Sequence, residues 1–363
     1  MADLATSMSK KTKGARVTIS DMADALGLTK STVSRALNGY ADIAEGTQLR
    51  VKKMAAELNY QPLSYAQAVK TGRTRSLGLV LQLSDHDAHR PFLAEFLAGL
   101  SAGASQEGYT VTVASADTHE TLVNTFRSLA QDGKADGFIL PRSMVDDPRS
   151  KLLRAERVPF VLYGRQADPT GCAWFDVRGE DAMRDAVRHL ADLGHRRIGF
   201  INGKTIYNYA SLRLQGFKVG MAECGLTIDP ELMQDDAVTR SDGQAAAGAF
   251  LDQAEPPTAI VCAVDNAALG AYAALAERGL TVAKDVSIIA YDGTQGGANA
   301  QPPLTTFAVD NRNAGERLSS LLIRRVRGEP VENLRETIAA TFIRRASTGP
   351  APAGPTTSSN KNF

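Results

Sequence analysis

Between Thr29 and Asn38 the chain gathers short or unbranched side chains that can hydrogen-bond to bases and phosphates: Thr29, Lys30, Ser31, Thr32, Ser34, Arg35 and Asn38. Lysine can donate to guanine O6 and N7, while serine and threonine can bond either bases or phosphates. Such chemistry works only if the donors share one face, so the elements around them matter. The spacing predicts two short helices joined by a tight turn at Gly27. Ser20 is placed to cap the first helix, whose Met22, Ala23 and Leu26 share a face, and Gly27 supplies the left-handed residue at its end. Thr29 caps the second helix, which buries Val33, Ala36 and Leu37 and turns Lys30, Ser31, Ser34 and Arg35 outward until Asn38-Gly39 stops it. A third helix from Thr47 to Leu58, with Leu49, Val51, Met54, Ala55 and Leu58 inward, closes the core. This is a helix-turn-helix, in which the N-terminal end of the second helix enters the major groove of DNA.

Charge agrees with that reading. Residues 1–75 hold twelve Lys/Arg against six Asp/Glu, a net of +6, so the remainder carries −5 of the chain's overall +1. Only the N-terminal fifth is built to neutralise phosphates. With 363 residues, 43% of them hydrophobic, the chain can bury the cores of two or three domains. No run approaches the roughly 20 apolar residues of a membrane span. The basic N-terminus lacks an apolar segment, so a cytoplasmic location is expected. Cys172, Cys224 and Cys262 are too widely spaced for a zinc site or a disulfide framework and are read as reduced thiols.

From Ser76 onward, strand and helix patterns alternate. Apolar strand runs at Leu77–Leu83, Tyr109–Ala114, Gly137–Leu140 and Pro159–Tyr163 are interleaved with helical spacing at Phe92–Gln106 and Thr121–Gln131. A second cycle contains helices at Asp181–Leu193, Ser211–Cys224, Ala245–Gln253 and Ala267–Arg278, with strands at Arg197–Asn202, Ala259–Ala263 and Val286–Tyr291. A return segment follows at Leu304–Arg327. The expected fold is a three-helix helix-turn-helix headpiece, a hinge, and an α/β core of two Rossmann-like subdomains facing each other across a cleft. Ligands of such sheets bind outside the carboxyl ends of the strands.

Catalytic motifs are lacking. Gly199 to Thr205 has three residues between its glycines where a phosphate-binding P-loop needs four. The chain carries no His-Glu-x-x-His pair or Gly-x-Gly-x-x-Gly fingerprint. His195, between a helix and a strand, reads as a framework residue. Neither an enzymatic activity nor a metal or other cofactor is expected.

The ordered strings Thr32 to Gly39, Glu57 to Pro62, Thr71 to Val80, Leu193 to Gly203, Arg213 to Phe217 and Asp285 to Asp292 resemble the lactose/galactose repressor (LacI/GalR) family of bacterial transcription regulators. The resemblance covers roughly residues 16–345. It implies a periplasmic-binding-protein-like core and a homodimer that reads palindromic operator DNA. A small carbohydrate in the core cleft is expected to control operator affinity. It also implies effector contacts from Arg213 and Asp292, with Asp265 nearby and Phe92 as an aromatic wall. Arg165 and Trp174, like Tyr163, Tyr207 and Tyr209, lie where strand ends or loops could add to the pocket. Val69 stands where the family places a leucine wedged into the minor groove, next to Lys70. The segment Ala173 to Asp181 resembles the α-glucoside-utilisation branch, whereas Val264 replaces an asparagine common in sugar-binding members. The expected map is a basic tail at 1–15, a headpiece at 16–62, a hinge at 63–76, the core at 77–345 and a disordered tail at 346–363. Within the core, the first subdomain takes about 77–176 and 308–338, and the second about 177–307 and 339–345.

Overall fold

The computed structural model describes residues 17–58, 60, 72–82 and 93–352. The chain divides into two compact units, residues 1–74 and 75–363. In the first, helix α1 (Ile19–Leu26) is capped by Thr18 rather than Ser20. Thr18 Oγ1 accepts from Asp21 N at 3.3 Å while Asp21 Oδ2 accepts from Thr18 N at 2.9 Å. Both residues could cap, but only Thr18 has an acidic partner three positions on to complete the reciprocal pair. Gly27 ends α1 at φ 64°. Helix α2 (Lys30–Leu37) starts from Thr29, whose Oγ1 accepts from Thr32 N at 3.1 Å. Helix α3 (Glu45–Glu57) begins two residues before the expected start. Met22, Ala23, Val33, Ala36 and Val51 form the buried centre. Leu49 is 63% exposed, against expectation. It precedes Val51 by two residues, about 200° around the helix from the buried face.

The second unit contains two six-stranded sheets. The first lobe holds β1 (Ser76–Gln82), α4 (Leu93–Gln106), β2 (Thr110–Ala116), α5 (His119–Gln131), β3 (Gly137–Pro141), α6 (Pro148–Ala155), β4 (Phe160–Tyr163) and β5 (Ala173–Val177). The chain then enters the second lobe through α7 (Gly179–Asp192), β6 (Ile198–Ile201), α8 (Asn208–Glu223), β7 (Met233–Gln234), α9 (Arg240–Leu251), β8 (Ala259–Cys262), α10 (Asp265–Glu277), β9 (Ser287–Asp292), the short α11 (Gln295–Ala298) and β10 (Thr305–Ala308). Helix α12 (Asn311–Val326) and β11 (Arg335–Ile338) return to the first lobe, and β12 (Thr341–Ile343) joins the second sheet. The strand orders are β11-β5-β4-β3-β1-β2 and β12-β10-β9-β8-β6-β7. Pairings are parallel except β10 with β12. The expected fold class is therefore realised. One apolar cluster, including Leu79, Phe175, Phe200 and Phe307, runs through both lobes.

Glycines set the closeness of three helix pairs. A Cβ on Gly99 would lie 2.0 Å from Arg312 O, one on Gly216 2.0 Å from Glu180 O, and one on Gly243 2.1 Å from Ala267 O. These contacts join α4 to α12, α8 to α7 and α9 to α10.

Residues 346–351, expected to begin a disordered tail, instead pack against the second lobe. Ser347 is buried and its Oγ donates to Ile288 O at 2.6 Å. The buried His195 reaches Thr258 Oγ1 through Nδ1 at 2.9 Å, and Ser287 Oγ and Gly349 O through Nε2 at 3.0 and 3.1 Å. At Gly349 a Cβ would meet Ala283 O at 2.5 Å, so the small residues that suggested disorder permit this close packing. His195 is thus a framework residue, with burial lowering its pKa against the opposing Gly349 carbonyl bond.

Candidate DNA-reading face and ligand cleft

In the headpiece, Lys30 and Ser31 are exposed at the N-terminal end of α2 and Ser34 is half-buried. Thr29 and Thr32 are engaged with each other at the cap, their hydroxyls 2.9 Å apart. Asn38 turns back, its Nδ2 donating to Ser34 O at 2.5 Å. Arg35 pairs with Asp42 and lies over the Tyr40 ring at 5.2 Å. The free chemistry of this face is therefore concentrated at Lys30 and Ser31, with Arg35 held in a defined place. Val69, Lys70 and Phe92 lie outside the described residues.

The lobes enclose a cleft of about 830 Å³. It opens at the carboxyl ends of β4, β5 and β9, the position that this sheet type offers to ligands. Tyr163 ends β4, and Arg165 follows it in the loop, donating to Asp176 Oδ2 at 2.5 Å and Glu180 Oε1 at 2.6 Å. Burial raises the Asp176 pKa despite the lowering pull of Arg165. From the other lobe, Arg213 on α8 is buried, and its Nη1 donates to Ala263 O at 2.6 Å. Its guanidinium carbon lies 3.8 Å from the Tyr291 ring centroid and 4.6 Å from that of Tyr209. Asp292 ends β9 at φ 131°. Burial pushes its pKa up to about 7, with Arg213 opposing and the Asp265 charge assisting. Among the described residues no ion pair joins Arg213 to Asp292, and both line the cleft.

Two expected pocket residues do not line the cleft. Asp265 is fully buried beneath it. Its Oδ2 accepts from Thr294 N and Oγ1 at 2.7 and 2.9 Å, and its Oδ1 accepts from Thr306 Oγ1 at 2.7 Å. It therefore ties the loop after Asp292 to β10. Trp174 sits in the body of β5, paired with Leu162 and Arg335. It packs in the outer cluster of the first lobe, with Arg335 4.5 Å from its ring centroid. The cleft opens only at the strand ends, which Trp174 does not reach.

Several lining residues escaped the sequence reading: Arg142, Ser143, Asn266, Tyr291 and Asn311. Arg142 and Ser143 follow β3 directly, so the rule that strand ends carry ligands could have found them. Arg142 has φ 53°, a conformation with no sequence signal in an arginine.

Fold and site together define a regulator-type chain, with a helix-turn-helix headpiece followed by a two-lobed, cleft-bearing α/β core. The headpiece matches the bacterial regulatory proteins, lacI family, over residues 18–63, and the core matches the periplasmic binding protein-like domain over residues 187–348. The HTH-type transcriptional regulator AglR of Rhizobium meliloti is 36% identical over 343 residues, covering 93% of this chain and 95% of that protein. Among solved structures, the lac repressor dimer bound to operator and the anti-inducer ONPF superposes with a TM-score of 0.76 at 25% identity, covering 92% of this chain and all of that one. The complex of the transcriptional regulator CelR with cellobiose gives a TM-score of 0.71 at 28% identity, with 92% and 100% covered. The chain belongs to the LacI family of bacterial transcriptional regulators. As a member of that family it is a transcriptional regulator rather than an enzyme. Among the described residues, no helix is long and apolar enough to cross a membrane.

Proposed function

We propose that the protein is a cytoplasmic, homodimeric repressor whose operator affinity is set by a small carbohydrate in the cleft, of the α-glucoside class. The observation that carries this reading is that Arg213 and Asp292, joined by no ion pair among the described residues, line a cleft between two facing lobes together with the rings of Tyr163, Tyr209 and Tyr291. A guanidinium and a carboxylate together satisfy adjacent hydroxyls as acceptors and donors, and ring faces cover the apolar side of a pyranose. The cellobiose complex of a related regulator agrees with a sugar ligand. Lys30 and Ser31 read bases, supported by Thr29, Thr32, Ser34, Arg35 and Asn38. Residues 63–76 act as a hinge, with Val69 and Lys70 meeting the minor groove. The core binds effector through Arg165, Arg213 and Asp292, with Phe92 as a wall, and it supplies the dimer contact. A single helix contacts only a few base pairs, whereas two related by a twofold axis read a palindrome.

A thermal-shift screen of mono- and disaccharides tests the effector. A specific sugar should raise the melting temperature in proportion to the logarithm of its concentration above the dissociation constant. No shift with any sugar would remove the carbohydrate reading and leave the regulator without it.

A further inference from the structure

The side chains of the cleft form a continuous stack that crosses from one lobe to the other. Arg142, carried by the first lobe, lies over the Tyr207 ring at 5.7 Å. Tyr207 stacks on Tyr209 with ring centroids 5.9 Å apart and planes inclined by 15°. The Tyr209 ring is 4.6 Å from the Arg213 guanidinium carbon, which lies 3.8 Å from the Tyr291 centroid. Arg213 Nε is buried without a hydrogen-bond partner. The rings and the bond to Ala263 O therefore fix its plane, and a cation between aromatic faces is held most firmly where water is excluded. Glycines make the room. A Cβ on Gly203 would lie 2.5 Å from Tyr209 Oη, and one on Gly179 would lie 3.1 Å from Arg213 Nε.

The first-lobe end of the stack is also joined through the backbone. Met144 and Tyr207 form an antiparallel bridge. Val145 N donates to Ile206 O at 3.0 Å, and Asn208 N donates to Ser143 O at 2.9 Å. Asn208 Nδ2 donates to Arg165 O at 2.7 Å. The loop carrying Arg142 to Val145 is fixed from behind by the buried Asp147–Arg149 pair, in which Arg149 also donates to the carbonyls of Pro141 and Arg142 at 3.0 and 2.9 Å. The stack thus ends on a lobe-to-lobe contact separate from the strand crossovers.

We propose that Tyr209 is a positioning residue that fixes the plane of Arg213 toward the bound effector, and that Tyr207 carries the same stack onto the first lobe, so that occupancy at Arg213 and the position of the lobes are coupled. The proposal rests on the reading of the cleft as the effector site. Full-length protein is titrated by calorimetry with maltose, trehalose, sucrose and cellobiose, and operator affinity is measured on a duplex selected from a random pool by the wild type. Tyr209→Leu should weaken the sugar that the wild type binds by roughly tenfold, while Tyr209→Phe, which keeps the ring, stays within about threefold. Gly203→Ala, which displaces Tyr209 without altering it, should repeat the loss and guards against a misfolded leucine variant. Tyr207→Leu should shrink the sugar-induced change in operator affinity by at least about fivefold, read as the ratio of operator affinities at saturating sugar and without it so that any change in sugar affinity drops out. Wild-type sugar binding that persists unchanged in Tyr209→Leu and Gly203→Ala overturns the positioning role, and an undiminished operator response in Tyr207→Leu overturns the coupling. A wild type that binds none of the four sugars overturns the proposal through the effector reading beneath it, a result distinct from either of those.

Discussion

Lys30 carries the most readable chemistry in the headpiece, because it stands exposed at the first turn of α2 with no partner needed for the fold. Lys30→Ala should lower specific DNA affinity by roughly 1–3 kcal/mol and relax base preference at one symmetric pair of positions. Gel-shift competition with random DNA checks this; an equal loss on both DNAs would reduce Lys30 to a phosphate contact. In the cleft, Asp292 has a pKa raised to about 7 from an ordinary 3.8, chiefly by burial. The native state then binds more protons than the unfolded chain between those values, so this group's contribution falls as pH rises toward 7. Asp292→Asn should accordingly raise the melting temperature of the ligand-free protein at pH 8 and change it little at pH 4, with about 2–4 °C for each kcal/mol recovered. A larger gain at pH 4 than at pH 8 would contradict the assignment. The residue types of the headpiece announced their use because caps and turns are local. Asp265 did not, since its partners Thr294 and Thr306 are set by the fold, and nothing near Val264 distinguishes a buried tie from a ligand contact.

At the scale of elements, the cleft depends on how closely α8 is held to α7. Gly216 approaches Glu180 O so closely that a Cβ would sit at 2.0 Å, and Arg213 lies one turn earlier on the same helix. Gly216→Ala should destabilise the core by about 1–3 kcal/mol, since overpacking forces backbone shifts. Because the displaced helix carries Arg213, sugar affinity should fall as well; denaturant melts together with calorimetry test this, and unchanged values in both would show that α8 has slack. Alternation of strand and helix was legible because each element has its own period. Helix α6 was not: it is eight residues long and arginine-bearing, although Asp147 as cap and Pro148 in the first turn are a start signal. Strand β5 is absent from the strands read in the sequence, where Trp174 is placed at a strand end or loop. Composition cannot tell a strand's body from its end, and only the pairing with β4 and β11 shows that Trp174 lies short of the opening.

For the whole molecule, charge and fold divide the work. The N-terminal fifth carries a net +6, so the salt dependence of non-specific DNA binding should follow its lysines and arginines. Deleting residues 1–13, with Lys10, Lys11 and Lys13, should weaken operator and random DNA alike and flatten the salt slope. A selective loss on operator would instead assign that tail a part in reading sequence. Regulation requires more: a ligand can shift operator affinity only through a difference in its own affinity for two states, typically a coupling of about 1–3 kcal/mol. The two lobes, joined by strand crossovers and by the Met144–Tyr207 contact, are the element able to hold such states. The most direct measurement is operator affinity with and without the sugar that stabilises the wild type, taken in parallel for wild type and Arg213→Ala. The expected result is a sugar-dependent change of roughly five- to 150-fold in the wild type, and none in Arg213→Ala, whose sugar-free operator affinity stays within a few-fold of wild type. An undiminished sugar response in Arg213→Ala would contradict it.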